Sequence, residues 1–150
     1  MAGLGTPINA SNLSSGNWIP LLSIGGSQTG ITYTSQKGGY QILGNMCFMW
    51  CQFALSSKGG LTGACTLNLP FVSNITRQGT NDHTPIPAIS GITIPANAGQ
   101  LFVKTIGTSS AQLLWSPTNA GSSFALDGAQ LSNTAGLTFN GFYNIFKVFF

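Results

Sequence analysis

The chain contains no glutamate and only two aspartates, Asp82 and Asp127, among its 150 residues. Its one histidine is His83, and its cations are Lys37, Lys58, Arg77, Lys104 and Lys147. Charged residues make up 5% of the chain, against roughly a quarter of a typical soluble domain. Such scarcity closes most routes to acid–base or metal chemistry, which draw on clustered carboxylates, imidazoles and thiolates. Asp82 neighbours His83 in sequence and would point to the opposite side of an extended chain. No serine sits in a Gly-x-Ser-x-Gly turn, and the two aspartates are the whole supply for a two-carboxylate glycosidase. The composition points away from an enzyme, and no metal or cofactor is expected.

Other absences narrow the field further. The five cations are spaced about twenty residues apart or more, so they build no phosphate-binding stripe. Nucleic acid is therefore not an expected partner. The first twelve residues, MAGLGTPINASN, hold no cation and no apolar run, unlike a secretory leader. The longest apolar stretch runs from Met46 to Leu55, about half of a membrane helix. An outer-membrane barrel would need an export signal, so no membrane is expected either. A hydrophobic fraction of 43% and a mean hydropathy of +0.25 exclude ordinary disorder.

What is present reads almost wholly as β-structure. Twenty glycines and seven prolines punctuate short apolar runs, and no helical period is sustained. Residues 1–17 are small and uncharged, and read as an extended attachment arm with Leu4, Pro7, Ile8 and Leu13 as its apolar contacts. Residues 18–150 read as one domain. Strands are expected at 18–24, 31–36 and 40–43, and a hairpin joins 45–55 to 61–69 through SSKGG. Residues 72–90 read as a long surface loop with room for an edge strand, and Arg77, Asp82 and His83 form a candidate exposed contact loop. Later strands are expected at 91–94, 100–106, 112–116 and 137–150. Eight or nine short strands imply an antiparallel β-sandwich or jelly roll.

Two of these strands are apolar on both faces. In the first, Cys47, Met49, Cys51, Phe53 and Leu55 lie on one side, and Met46, Phe48, Trp50 and Ala54 on the other. In the last, Phe142, Phe146, Val148 and Phe150 oppose Tyr143, Ile145 and Phe149. An antiparallel sheet with one wet face alternates apolar with polar, so an obligate homo-oligomer is expected. Phe48, Trp50, Tyr143, Ile145 and Phe149 are its candidate interface. Along an extended strand Cys47 and Cys51 stand about 13 Å apart, too far to share a bond. The expected hairpin permits but does not require a Cys51–Cys65 bridge, and an odd cysteine count favours three packed thiols. Trp18, Trp50 and Trp115 suit either the core or a sugar-stacking surface.

The run YTSQKGGYQILGNMCFMWCQFALSSKGGLTGACTLNLPF resembles the start of a jelly-roll domain of tailed-phage virion proteins. Its anchors are Tyr33, Thr34, Gln36, Gly38, Tyr40, Gly44 and Asn45, then Ser57, Lys58, Gly59, Thr62 and Gly63, and finally Leu69, Pro70 and Phe71. LSNTAGLTFNGFY resembles that family's closing strand through Leu131, Gly141 and Tyr143. The resemblance implies a non-catalytic homotrimer on a tail fibre, a tailspike or a capsid surface, and hence location in the virion. Capsid decoration is the favoured expectation, with the major capsid protein or another virion protein as partner. The alternative is a receptor-binding fibre or tailspike tip, with a host-surface glycan as ligand.

Overall fold

Alternation along one long strand organises the molecule. In residues 46–55 every second side chain is apolar, and Cys47, Met49, Cys51, Phe53 and Leu55 are all buried on one face. The computed structural model describes residues 13–74, 83–107, 109–118 and 121–145. Its strands are β1 (Leu13–Trp18), β2 (Leu22–Ile24), β3 (Ile31–Leu43), β4 (Met46–Lys58), β5 (Cys65–Asn68) and β6 (His83–Pro85). They continue with β7 (Ala88–Ile92), β8 (Ala98–Thr105), β9 (Ser110–Pro117), β10 (Phe124–Ala125) and β11 (Leu131–Asn144). The first sheet has the order β1-β3-β4-β11-β7. The second has the order β2-β5-β9-β8-β6, with β10 also paired to β9. Every pairing among the described strands is antiparallel, so the described chain is nearly all β, in two sheets.

The core lies between the sheets. Phe53, Phe139 and Leu55 of the first sheet join Leu22, Leu67 and Leu113 of the second in one buried cluster. Each such side chain contributes about 1.5–3 kcal/mol on leaving water. Polar ties close the ends of this core. The Tyr33 hydroxyl accepts from the Leu22 amide at 2.8 Å, and Gln36 Nε2 donates to the Pro20 carbonyl at 2.7 Å. Asn68 fastens the start of β2, accepting from Leu21 N and donating to Ile19 O.

The expected 45–55/61–69 hairpin does not form. β4 is flanked by β3 and β11, and β5 belongs to the other sheet, between β2 and β9. The local turn signal was right about a reversal but not about pairing, because both edges of β4 are taken. The cross-strand register for a Cys51–Cys65 bridge goes with it, and all three cysteines are free and buried. Residues 31–36 and 40–43 are one continuous strand. Its mid-strand glycines exist for space: a Cβ on Gly38 would meet Trp18 Nε1 at 2.6 Å, and one on Gly39 would overlap Trp50 Nε1. The expected surface loop holds β6 and the start of β7, each the strand at one edge of its sheet. Leu13 to Asn17, read as the end of the arm, pair with β3 in the register Leu13–Leu43 to Asn17–Gly39.

Candidate functional site

Antiparallel partners point to the same side of a sheet, so outward positions line up in rows across the strands. On the first sheet one row reads Asn17, Gly39, Trp50, Asn140, and the next reads Ser15, Gln41, Phe48, Phe142. Leu13, Leu43, Met46 and Asn144 make a third row at one end, and Lys37, Gln52 and Thr138 a fourth at the other. Phe48 and Trp50 are 42% and 41% exposed, and Phe142 is 57% exposed. The Phe48 and Phe142 rings stand 6.1 Å apart. Together the middle rows floor an open trough of about 640 Å³, lined by Ser15, Asn17, Gln41, Phe48, Trp50 and Asn140. Among the described residues no Asp, Glu, His, Lys or Arg contributes to that lining.

Local chemistry fixes the indole at its centre. The pyrrole edge of Trp50 occupies the space a Cβ of Gly39 would fill, so the ring rests on the strand backbone. From the opposite face, Trp18 packs on Gly38 and donates through Nε1 to the Trp50 carbonyl at 3.2 Å. Successive glycines thus let two indoles approach one stretch of β3 from either side. Around Trp50 the side-chain amides of Asn17, Gln41 and Asn140 make no hydrogen bond within the described chain. Each is exposed and offers both a donor and an acceptor.

The structure divides the candidate interface. Phe48 and Trp50 face outward, as expected from the parity of β4. Tyr143 and Ile145 do not: they are 2% and 6% exposed and belong to the core of the chain itself. The reason is register. Tyr143 pairs with Cys47, which faces inward, while Phe142 pairs with Phe48. Phe142 is the outward aromatic that parity alone did not assign, and only knowledge of that pairing would have found it. Asn17, Gln41 and Asn140 were also missed, since nothing in their local sequence marks them. Leu13 is half-exposed at the head of β1. The backbone of His83 pairs with Lys104. Leu4, Pro7, Ile8, Arg77, Asp82 and Phe149 lie outside the described residues.

The remaining reactive groups serve the framework. Asp127 caps a short 3-10 turn at Gly128–Gln130, its Oδ1 accepting from Ala129 N at 2.7 Å and Gly63 N at 3.1 Å. Those two amides hold its carboxyl below the usual carboxylate range. Lys58 Nζ donates to the carbonyls of Leu61 and Gly128. Burial pushes the Cys51 and Cys65 thiols up to about 12 and raises that of Cys47. The Tyr143 hydroxyl donates to Phe71 O and accepts from Phe71 N, both at 3.0 Å, and burial raises its pKa too. Among the described residues no three His, Cys, Asp or Glu side chains gather to hold a metal.

Fold and surface together define an all-β protein with an aromatic and amide-bearing outer face. No family model and no curated protein matches the chain. Among solved structures it is similar to the Dettilon tailspike protein (gp208), with a TM-score of 0.65 and 15% identity. The match covers 88% of this chain and 24% of that one, so the chain spans about a quarter of the length of the tailspike it matches. Likeness at this identity is a likeness of fold.

Proposed function

We propose that the chain is a structural module of a bacteriophage virion, placed on the tail as part of a spike or fibre that meets the host surface. The observation that carries this reading is the fold match, which takes in nearly the whole chain and corresponds to one segment of a tailspike. The trough centred on Trp50 supports it, because an exposed and uncharged aromatic surface suits binding better than turnover. Catalysis has no part in the proposal, since the described carboxylate, Asp127, is engaged as a turn cap. Capsid decoration, favoured by the sequence reading, draws no support from a tailspike neighbour.

Trimeric assembly belongs to the same proposal. Nine large hydrophobic side chains stand exposed on the described chain, among them Leu13, Ile19, Val72 and Ile106, and a partner copy would cover part of that surface. Gold-labelled antibodies against the purified chain, viewed on intact virions by electron microscopy, test the location. Label at the tail is the expected result. Label spread over the capsid would favour decoration instead, and virions without label would overturn both readings.

A further inference from the structure

We infer that the row Asn17–Gly39–Trp50–Asn140 is a binding platform for a neutral saccharide. Four observations on this face converge. The indole of Trp50 rests on Gly39, which leaves its other face free for ligand. The axial C–H groups of a pyranose pack on such a ring, and its hydroxyls then reach the amides beside it. Amides flank the ring on both sides, Asn17 on β1 and Asn140 on β11, with Gln41 in the adjoining row. Their unused donors and acceptors match the paired hydroxyls of a sugar, which also donate and accept.

Charge decides the class of saccharide. Among the described residues no Asp, Glu, His, Lys or Arg lines the trough, and the nearest cation in the rows, Lys37, lies in the next row beyond Trp50. A polyanion would find one counter-charge there, so a neutral glycan is the better match. At about 640 Å³ the trough holds a short oligosaccharide, within the range of about 300–1,000 Å³ typical of ligand sites. A second copy of the chain is the rival occupant. It would desolvate three amides that have no partner among the described residues, and each one left unpaired would oppose association. Trimer contacts therefore belong on other exposed apolar positions.

Pre-organisation supports the assignment. Trp18 holds the Trp50 carbonyl from the opposite face, so the platform strand is fixed before ligand arrives. The inference rests on the tail reading only for the source of the glycan, the host surface.

The test uses the full chain on an array of neutral hexose and N-acetylhexosamine oligosaccharides printed beside acidic ones, with light scattering on every sample. Wild type is expected to bind neutral glycans. Trp50→Ala should weaken that binding tenfold or more, and the double variant Asn17→Ala/Asn140→Ala severalfold. Phe124→Ala, an exposed aromatic of the second sheet, should bind as wild type. All should keep the same oligomeric mass. Binding by Trp50→Ala equal to wild type, retention on acidic glycans alone, or no retention at all would overturn the site. So would a Trp50→Ala protein that falls apart into smaller species, since that would put the platform between copies. A tail label with an empty array would sink the saccharide site and leave the tail reading standing.

Discussion

Raising the pH above 9 should destabilise this protein more steeply than its few charges suggest. Cys51 and Cys65 are fully buried, and their thiols are pushed from 9.0 up to about 12. In the unfolded chain both ionise near 9, so between pH 9 and 12 the folded state holds protons that the unfolded state has lost. Stability is then complete below pH 9 and falls as pH rises through that window. At pH 10 each thiol accounts for about 1.4 kcal/mol, and the pair for about 3 kcal/mol. Cys47 acts in the same direction, and Tyr143 joins above pH 10. For a domain of this size that loss lowers the melting temperature by about 6–12 °C between pH 7 and 10. Circular dichroism melts with reductant present measure it directly. The Cys51→Ala/Cys65→Ala variant, weaker at neutral pH, should lose most of the pH dependence. A wild-type melting point unchanged at pH 10, or an equal fall in the double variant, would refute the reasoning.

Three further outcomes are expected. Tyr143→Phe leaves the Phe71 amide and carbonyl without their partner and should cost about 1–3 kcal/mol in a urea titration, with the m-value unchanged. Gly38→Ala drives a methyl into the Trp18 indole and should destabilise by about 1–3 kcal/mol, whereas Gly26→Ala, with open space and φ +80°, should show only the smaller backbone penalty of about 1 kcal/mol. In acid the melting temperature should stay level down to about pH 4.5 and drop only below the ordinary Asp value of 3.8, because Asp127 has its carboxyl pKa lowered by two amides and loses that stabilisation as it protonates; Asp127→Asn should flatten the drop in a melt series from pH 5 to 2.

The all-β class and the inner face of β4 were legible in the sequence because both are local: turn residues interrupt the chain, and parity sets which side chains share a face. Pairing was not legible. SSKGG looked like a hairpin turn, yet the chain crosses there to the opposite sheet, and no residue near Lys58 records that β11 claims the second edge of β4. The same gap inverted the outer face of β11. Phe142 and Tyr143 are equally apolar neighbours, and only the register against Phe48 and Cys47 says which of them meets water. The trough was hidden for a related reason. Asn17, Gln41, Trp50 and Asn140 come from four strands and become neighbours only when those strands align. Proline cannot donate to a central ladder, and Pro85 accordingly lies on β6, an outermost strand.

The place of β4 between β3 and β11 also sets a timetable for synthesis. Its first partner, β3, is adjacent in sequence and already made. Its second is separated from it by 82 residues (Ala54 to Gly136) to 98 residues (Met46 to Asn144), almost the remainder of the chain. Until the ribosome has delivered β11, this largely apolar strand shows an unpaired edge. Distant pairing of this kind slows folding and leaves the growing chain exposed to its neighbours. Several copies translated from one message would emerge side by side in that state. A chain cut short before Gly136 should therefore go into inclusion bodies rather than accumulate as a smaller soluble domain.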